Sequence, residues 1–356
     1  MHAECFVTGG SGFIGQHLLA RLTRQGHPVS VLLRQPQTLP QLQHTVEQLG
    51  GDGRLLRGVV GDLSHAQLGL DQAARQQVAR AAVVFHLGAQ FAWGLTIEQA
   101  RAVNVAGALQ VAELAAGQGS RLLMVGGYML ENHAHLRRVG VDLQQPQRTD
   151  WPAVYRRVGG YEGSKLEAHF QVLARMQALG GELTIVHPAT VCGHSQSGHL
   201  LAAQPLAQLI GNLSAGKLGA IPGSAAHWLP LVSVDFLVAL MVAAAFDPEQ
   251  AGRQVLALDE RTPNLHGLLQ VLAEALAVKA PQRHVPIAVL RVLLKIPGAQ
   301  RLLRTDAESL DFIQTTRFDT AAAQALARKH QLTWPDVPAA LQATARYVAG
   351  QLRGGR

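Results

Sequence analysis

The fold of this chain is decided near its N-terminus, by the stretch Val7-Thr8-Gly9-Gly10-Ser11-Gly12-Phe13-Ile14-Gly15. Residues 3–7 before it read as a short buried strand, and residues 13–24 carry apolar side chains at helical spacing. A strand, a glycine-rich turn and a helix in this order are typical of a loop that binds a dinucleotide. A glycine-rich turn without a ligand is the alternative interpretation.

Each of the three glycines spaced three residues apart has a physical role in such a loop. Gly9 permits the tight turn, Gly12 lacks the side chain that would block a pyrophosphate, and Gly15 lets the helix pack closely on the strand. The helix N-terminus also presents N–H groups and the positive end of a dipole to phosphates. We therefore predict a cofactor-binding site at this loop.

Composition and charge narrow the class of protein. The 356 residues suffice for two lobes, and they carry a formal net charge of +7 with only 15% charged residues. Because the Lys and Arg residues are scattered, a basic soluble protein is favoured over one that binds nucleic acid. The segment from Met1 to Phe6 is too short and too polar for a signal peptide. The best apolar run, residues 236–246, is shorter than a membrane span. We expect a cytoplasmic protein with no stable membrane insertion.

The two cysteines and the 16 histidines show no metal-ligand pattern. Cys5 lies in the first predicted strand and Cys192 in another apolar segment. Both are therefore predicted to be small core residues rather than a disulfide or a metal pair.

Strands alternate with helices along the first half of the chain. Short turns link them, which predicts an α/β fold with a Rossmann doubly wound parallel sheet and a ligand at the carboxyl ends of the strands. A polar segment, residues 139–157, is predicted to be a loop over the site, and helices are predicted at 161–179, 235–245, 265–276, 286–303 and 337–352. The predicted strands are 3–7, 29–33, 55–60, 83–87, 122–125, 183–187, 229–234 and 254–258.

The end of the second strand bears on the choice of cofactor. An NAD site usually places an acid there for the ribose hydroxyls, whereas the 2′-phosphate of NADP needs a cation. Residues 32–38 contain Arg34 and no acid, so NADP(H) is favoured over NAD. A solvated loop cation is the alternative interpretation of Arg34.

Two further strand ends carry candidate cofactor contacts. Asp62 follows the third strand, where it could hold an adenine amino group or equally cap the helix expected near Ser64. Gly88 and Ala89 follow the fourth strand and provide a floor of small residues where a dinucleotide could cross the sheet.

One tyrosine has a lysine four residues later, in Tyr161-Glu162-Gly163-Ser164-Lys165. Residues four apart share one face of a helix, so the Lys165 ammonium is expected beside the Tyr161 phenol, where its charge would lower the phenol pKa. This is an acid/base arrangement. Tyr128, Tyr155 and Tyr347 have no lysine at that spacing, and an ordinary surface pair is the alternative for Tyr161.

With these residues in hand, the chain resembles the extended short-chain dehydrogenase/reductase family, which includes nucleotide-sugar epimerases, dihydroflavonol-type reductases and 3β-hydroxysteroid dehydrogenases. The resemblance covers nearly the whole chain. It rests on Thr8 to Gly15, Gly61-Asp62-Leu63, His86-Leu87-Gly88-Ala89, Asn104-Val105-Ala106-Gly107, Tyr161 to Lys165, Pro188 to Gly193 and Leu231 to Asp235.

The resemblance implies a role for each matching residue. Tyr161 would exchange a proton with the substrate oxygen, Lys165 would hold the nicotinamide ribose, and Arg34 coincides with a basic position of the NADP-dependent members. A homodimer is implied as well. Cofactor contacts are implied for Gly9, Gly12, Phe13, Ile14, Gly15, Arg34, Asp62, Leu63, Leu87, Gly88, Ala89, Val125, Tyr161, Lys165, Pro188 and Val191.

The family also implies two interleaved lobes. Residues 1–188 and 229–258 are expected to form the NADP-binding Rossmann domain, and residues 189–228 and 259–356 the substrate-binding lobe.

Two positions depart from the family pattern. The fifth strand of the family normally ends in a pair of hydroxyl residues, whereas this chain has Val125-Gly126-Gly127. Either Tyr128 or another nearby donor replaces the catalytic hydroxyl, or water does, or the enzyme is weakened or altered. We favour a rebuilt pocket in which Tyr128 or the substrate itself occupies this space, so that a side chain at position 127 would clash. His187 stands where an arginine is common.

Three functions are compatible with the sequence. Between residues 189 and 229 the only Lys or Arg is Lys217, whereas a nucleotide-sugar substrate needs cations for its diphosphate. This favours an NADP(H)-dependent oxidoreductase acting on a weakly charged, partly apolar small-molecule carbonyl or alcohol over an epimerase or dehydratase. A cofactor-binding protein without turnover is the third interpretation, because Gly127 removes a hydroxyl.

Overall fold

The computed structural model describes residues 2–90, 95–293, 310 and 312–354, and it contains a seven-stranded parallel sheet. Clustering of contacts separates the chain into two compact units. The first comprises Met1–His187 and Val238–Leu256, and the second Pro188–Leu237 and Ala257–Arg356. The strands of the large sheet are β1 (Cys5–Thr8), β2 (Val29–Leu33), β3 (Leu56–Val60), β4 (Val83–His86), β5 (Arg121–Val125), β6 (Leu183–Pro188) and β10 (Gln254–Ala257).

The strand order is β10-β6-β5-β4-β1-β2-β3. From β1 the chain adds strands towards one edge of the sheet, and from β4 it adds them towards the other edge, so the order reverses between β1 and β4. Val7 pairs with Val31 on one side and with Phe85 on the other. In a doubly wound sheet a ligand lies at the carboxyl ends of the strands beside this reversal. The predicted α/β class and Rossmann topology are confirmed.

Helices connect the strands of the first unit. The residues of β1 and β4 are buried throughout, as expected for a parallel sheet covered on both faces. The helices of this unit are α1 (Phe13–Arg24), α2 (Leu39–Gln48), α3 (Gln72–Val78), α4 (Ile97–Ala100), a π-helix (Arg101–Ala106), α5 (Gly107–Gly117), α6 (His133–Val139), α7 (Trp151–Leu179) and most of α9 (Val234–Phe246).

The predicted loop at 139–157 is wrong in its second half, because α7 already begins at Trp151. Asp150 caps its N-terminus by accepting a hydrogen bond from the backbone N–H of Ala153 at 3.1 Å. The segment looked polar because exposed arginines cover one face of the helix, while Val154, Tyr155 and Val158 are buried on the other. Gly159, with φ +81°, then interrupts the helix.

The second unit contains two small parallel sheets. In one, β7 (Thr190–Cys192) pairs with β9 (Leu231–Ser233), and in the other β8 (Ile221–Pro222) pairs with β11 (His284–Val285). The described helices of this unit are α8 (Pro205–Ser214), α10 (Leu265–Leu276), α11 (Ile287–Leu293), α12 (Ala321–Lys329) and α13 (Val337–Gly354).

This pairing changes the expected lobe boundary. The segment predicted to return to the Rossmann domain was 229–258, whereas the segment that clusters with the first unit is Val238–Leu256. The difference arises because β9 pairs with β7 of the second unit instead of joining the large sheet. Residues 294–303 of the predicted helix 286–303 lie outside the described residues.

Both cysteines are buried and free, as predicted. Burial raises the thiol pKa of each to about 12, so neither is a thiolate at neutral pH. Within the described ranges, no group of three or more His, Cys, Asp or Glu residues is placed to hold a metal ion. Among the described helices, none combines the length and apolar character that crossing a membrane requires.

Candidate active site

The glycine loop brings the ends of β1 and β4 into direct backbone contact. Gly9 has φ +75°, and a Cβ added to it would lie 2.6 Å from the backbone nitrogen of Gly88. A Cβ on Gly15 would overlap the carbonyl oxygen of Gly9. Gly9 therefore makes the turn and Gly15 the close packing of α1 on it, the two roles predicted for these glycines.

Gly12 is the N-cap of α1, and no side chain caps the helix there. A Cβ on Gly12 would meet only the Gly9 carbonyl oxygen, at 3.3 Å, among the described atoms within 4 Å. The first turn of α1 also contains no acidic residue. The helix N-terminus thus offers its dipole and backbone N–H groups to an anion, which fits the pyrophosphate of a dinucleotide.

A hydrogen-bond chain joins the same two strand ends. The backbone N–H of Gly88 donates to the Thr8 hydroxyl at 3.3 Å, and the Thr8 hydroxyl lies 2.8 Å from Nδ1 of His86. Because the hydroxyl accepts from Gly88, it is free to donate to the imidazole. Thr8 and His86 were not predicted as site residues, and their position at the ends of the two central strands was the available signal.

Asp62 and Leu63 follow β3, and Leu63 lies close to Gly88. The Leu63 side chain is in the place that a Cβ on Gly88 would need, at 2.5 Å. Asp62 Oδ1 accepts hydrogen bonds from the backbone and hydroxyl of Ser64, both at 2.8 Å. Asp62 therefore closes a turn at Ser64 and does not cap a helix, since the next α-helix begins at Gln72 with Asp71 as its cap.

The charge of Asp62 is stabilised within this turn. Burial acts to raise its pKa, but the hydrogen bonds from Ser64 and the charges of His65 and Arg34 outweigh it and hold the pKa below its ordinary value. Its second oxygen, Oδ2, accepts no hydrogen bond from the described residues and is available to a donor such as an amino group.

Arg34 lies one residue beyond the end of β2 and is exposed. Within the described part of the chain its guanidinium forms no ion pair. Its charge acts on Asp62 without a direct contact. The side chain is thus available to a phosphate, as the predicted role requires.

Tyr161 and Lys165 lie one turn apart on α7, beyond the interruption at Gly159. The Lys165 ammonium donates a hydrogen bond to the carbonyl oxygen of Val125 at 2.8 Å, which fixes the lysine to the end of β5. Burial lowers the pKa of Lys165 to about 8. The structure therefore brings together Lys165 and Val125, two of the predicted cofactor contacts.

The phenol of Tyr161 is affected in the direction opposite to the one predicted. Its pKa is raised to about 12, by burial and then by the negative charge of Glu162. The expected lowering by Lys165 is wrong for the chain by itself, because the ammonium is directed to the Val125 carbonyl and is not among the causes of the shift. At neutral pH Tyr161 therefore holds its proton.

A buried asparagine anchors the helix segment that carries Tyr161. Asn104 donates to the Ser164 hydroxyl at 2.9 Å, and that hydroxyl donates to the Tyr161 carbonyl at 2.8 Å. Its Oδ1 accepts from the backbone N–H of Gln90 at 2.7 Å. Asn104 lies in the π-helix Arg101–Ala106, a feature that is frequent at functional sites. It was a matching motif residue but was not predicted as a site residue.

A second network fixes the same helix from its far side. The buried carboxylate of Glu167 accepts two hydrogen bonds from Arg101, at 2.9 and 3.0 Å, and one from the Tyr155 hydroxyl at 2.7 Å. The Tyr155 ring lies 2.5 Å from where a Cβ on Gly163 would be, so position 163 has no room for a side chain. The sequence carried no signal for this network, because its members are distant in the chain.

The end of β5 is in contact with His187. The backbone N–H of Gly127 donates to Nδ1 of His187 at 3.3 Å, and Nε2 of the ring lies 2.8 Å from Oε1 of Gln254. A Cβ on Gly126 would overlap Nδ1, whereas a Cβ on Gly127 would meet no described atom within 4 Å outside its two neighbours in the chain. Position 126 therefore has no room for a side chain, and crowding of position 127 by Tyr128 or the substrate stays a prediction.

Tyr128 begins a short 3-10 turn and is 2% exposed. Pro188 is the last residue of β6, and Val191 pairs with Val232 in the small sheet of the second unit. The roles predicted for these three residues stay predictions.

The charge of Lys165 acts on three buried histidines. Burial, followed by the positive charge of Lys165, lowers the pKa of His86 to about 3. Burial also dominates for His169, with pKa about 3, and for His187, with pKa about 4, and Lys165 adds to both shifts. The rings of His169 and His187 are 5.3 Å apart. All three are neutral at physiological pH.

The family model described as male sterility protein, an NAD-binding family, matches residues 7–241. The chain belongs to this family. The predicted membership of the extended short-chain dehydrogenases/reductases is thereby confirmed, and a nicotinamide dinucleotide is the cofactor class of the family.

Curated relatives include larger enzymes. The chain is 32% identical over 251 residues to the PKS-NRPS hybrid synthetase cheA of Chaetomium globosum, covering 66% of this chain and 5% of that protein. It is 28% identical over 195 residues to a putative dihydroflavonol 4-reductase of Synechocystis (54% and 50%) and 28% over 254 residues to the aldehyde reductase lnaA of Aspergillus flavus (67% and 24%). The chain thus spans at most half the length of these relatives.

Solved structures share the fold across nearly the whole chain. The terminal R domain of the myxalamid PKS-NRPS pathway has a TM-score of 0.78 at 20% identity, covering 99% of this chain and 91% of that one. Gre2 of Candida albicans in complex with NADPH has a TM-score of 0.68 at 15% identity (98% and 99%). UDP-glucuronic acid 4-epimerase of Bacillus cereus in complex with NAD also scores 0.68, at 16% identity (98% and 99%).

The buried histidines predict an acid-sensitive fold. Their folded pKa values lie below the ordinary 6.5, so the unfolded chain binds more protons as the pH falls below 6.5. The contribution of these histidines to the free energy of unfolding is complete above pH 6.5. It is lost as the pH falls towards their pKa values in the folded protein, about 3 to 4. Each histidine contributes a slope of up to about 1.4 kcal/mol per pH unit.

Urea unfolding between pH 7.5 and 5 measures this slope, in a range above the titration of most carboxylates. His187→Asn should reduce the slope by the share of one proton. His133→Gln, at an exposed position, is the control and should leave the slope as in the wild type. Equal slopes in all three proteins would contradict the assignment.

Proposed function

We propose that this chain is an NADP(H)-dependent reductase that converts a weakly charged, partly apolar carbonyl compound to an alcohol. One observation supports the proposal most. A protonated phenol, Tyr161, lies one helical turn from Lys165, whose ammonium is bound to the same sheet edge that carries the glycine loop. A proton donor beside a dinucleotide site is what reduction of a carbonyl requires.

The glycine loop fits the cofactor. The uncapped N-terminus of α1 and the close approach of Gly9 to Gly88 leave backbone where a pyrophosphate needs it. NADPH supplies the hydride when it is bound. Arg34 would hold the 2′-phosphate, since it is exposed, forms no ion pair within the described residues and has no acid beside it in residues 32–38.

Tyr161 donates the proton to the substrate oxygen in this proposal. Its pKa of about 12 keeps the phenol protonated, which suits a proton donor in reduction better than a base in oxidation. Lys165 stays near the reacting groups as a cation. With a pKa of about 8 it carries its charge at neutral pH and loses it only in mildly alkaline solution.

Gly127 leaves the place of the expected hydroxyl open. No described atom outside the two neighbouring residues would contact a Cβ there, so in this proposal the substrate oxygen or a water molecule reaches the end of β5. Tyr128, next in the chain, is the candidate for a second donor to the substrate oxygen. A cofactor-binding protein without turnover is disfavoured because Tyr161 and Lys165 are both present.

A nucleotide-sugar epimerase is the alternative, supported by the fold shared with the Bacillus cereus enzyme. It is disfavoured because Lys217 is the only Lys or Arg between residues 189 and 229. A second candidate substrate is an acyl thioester, which reduction would convert to an aldehyde and a thiol. Its support is the similarity to the R domain and to a PKS-NRPS synthetase. NADPH oxidation with octanal, 2-octanone and octanoyl-pantetheine separates the reductase substrates. Chromatography of UDP-glucose incubated with the protein and NAD tests the epimerase, because epimerisation consumes no NADPH.

Reversing the charge at Arg34 should change cofactor preference. Arg34→Asp should weaken NADPH binding by about 1.5–3 kcal/mol, through loss of a charge-assisted contact to the 2′-phosphate, and leave NADH binding nearly unchanged. Fluorescence titration with both cofactors measures this.

Arg80→Asp is the matched control for charge. Arg80 is also exposed but lies before β4, at the amino ends of the strands. A wild type that prefers NADH, or equal losses in the two variants, would remove Arg34 from the cofactor site.

Removing the phenolic hydroxyl of Tyr161 should abolish proton transfer without changing cofactor binding. Tyr161→Phe should retain NADPH affinity and lose turnover by about 10²–10⁴-fold. Tyr347→Phe, which keeps its ring beside His199, is the control and should keep wild-type turnover. Undiminished turnover in Tyr161→Phe would exclude the phenol from the reaction.

A hydroxyl restored at position 127 should be accommodated. Gly127→Ser should fold with an unchanged melting temperature and keep or increase kcat/KM, because no described atom outside the neighbouring residues lies within 4 Å of a Cβ there. Tyr128→Phe should reduce kcat if Tyr128 is the second donor. A fall in kcat/KM of Gly127→Ser with normal folding would mean that the substrate itself occupies this space.

A further inference from the structure

The ladder between β5 and β6 is extended by a side chain. Val125 pairs with Val186, and the backbone N–H of Gly126 donates to the Val186 carbonyl at 2.9 Å. The next N–H, of Gly127, donates instead to Nδ1 of His187, at 3.3 Å. The imidazole of His187 is thus the acceptor for the N–H that follows the last backbone hydrogen bond between β5 and β6.

The protonation of the ring follows from its partners. A backbone N–H can only donate, so Nδ1 must be the unprotonated nitrogen, and Nε2 carries the hydrogen that is given to Gln254 Oε1 at 2.8 Å. The carboxylate of Glu131 lies 3.6 Å from the same Nε2. His187 is fully buried, so its orientation is set by these groups and not by solvent.

The ring also explains why position 126 is a glycine. A Cβ on Gly126 would overlap Nδ1 and would lie 2.6 Å from Cε1 of His187, whereas a Cβ on Gly127 would not contact the ring. The same strand end provides the Val125 carbonyl that accepts the Lys165 hydrogen bond. His187 therefore contacts the two residues that directly follow the Lys165 acceptor.

We propose that His187 is a positioning residue of the active site, whose imidazole holds the Val125–Gly127 strand end in the place where it receives the Lys165 ammonium. This inference rests on the proposed function, since Lys165 matters for turnover only if the chain is a reductase. In this proposal the His187 ring replaces a backbone carbonyl as the hydrogen-bond acceptor of Gly127, and its volume explains the glycine at position 126.

Two substitutions separate the hydrogen bond from the bulk of the ring. In His187→Asn, Oδ1 can replace Nδ1 as the acceptor for Gly127, whereas His187→Leu fills the space without an acceptor. With NADPH and octanal, His187→Leu should lower kcat at least tenfold and His187→Asn less than threefold. Equal losses in both, or none in His187→Leu, would overturn the proposal.

The pH profile distinguishes positioning of Lys165 from general destabilisation. Lys165 that loses its carbonyl acceptor should titrate below its present pKa of about 8, because the hydrogen bond stabilises the charged form. The neighbouring titratable groups His86, His169 and Glu131 remain in both variants. The alkaline limb of kcat should shift to lower pH in His187→Leu only, and an unshifted limb would overturn the proposal.

A readout without turnover uses the ring itself. Nitrogen-15 NMR of histidine-labelled wild-type protein, with His187 assigned by its loss in His187→Asn, should show the Nε2–H tautomer and no protonation down to pH 5.5. An Nδ1–H tautomer would overturn the proposal even if a variant failed to fold.

A double-mutant cycle tests the contact with position 126. Gly126→Ala should reduce the melting temperature of the wild type clearly and that of His187→Ala little, since the smaller residue leaves space for the Cβ. Equal effects in the two backgrounds would overturn the contact. Tyr161→Phe is measured alongside, because full turnover in that variant would refute the proposed function, whereas its loss with normal His187→Leu kinetics would refute only the role of His187.

Discussion

The structure of the first unit depends on one close approach, that of the backbone after β1 to the backbone after β4. Gly9 and Gly88 come so near that position 9 has no room for a side chain, and Thr8 and His86 connect the two strand ends by hydrogen bonds. Because these strands flank the reversal of the sheet order, the contact creates the crevice in which a dinucleotide can lie. The remaining candidate groups, from Leu63 to the β5 end, are arranged around this contact.

Lys165 is held in an environment of neutral groups. Among the described residues its hydrogen-bond acceptor is a carbonyl oxygen, and the nearby histidines are kept uncharged by burial and by the ammonium itself. A carboxylate as partner would instead have raised the lysine pKa and neutralised its field. The arrangement leaves a cation whose charge is not balanced by a contact acid, which favours an anionic or developing negative charge on the substrate or cofactor side.

The sequence predicted those features that local pattern determines. The glycine loop, the central strands and the Tyr161–Lys165 spacing follow from short-range periodicity and turn chemistry, and the structure has them where they were expected. What it could not predict depends on contacts between distant residues. The partner of β9, the side chain that fills the space beside Gly126 and the direction of the Tyr161 pKa shift are all set by residues far away in the chain.

Gly126 and Gly127 look alike in the sequence but are glycines for different physical reasons. At position 126 the His187 ring occupies the volume of a Cβ, so the constraint is steric and lies within the chain. At position 127 no described atom outside the neighbouring residues lies within 4 Å of a Cβ, so no such contact among the described residues requires a glycine there. The glycine at 126 is therefore explained by the His187 ring, whereas in the proposed reductase the space at 127 would be available to a substrate oxygen or a water molecule.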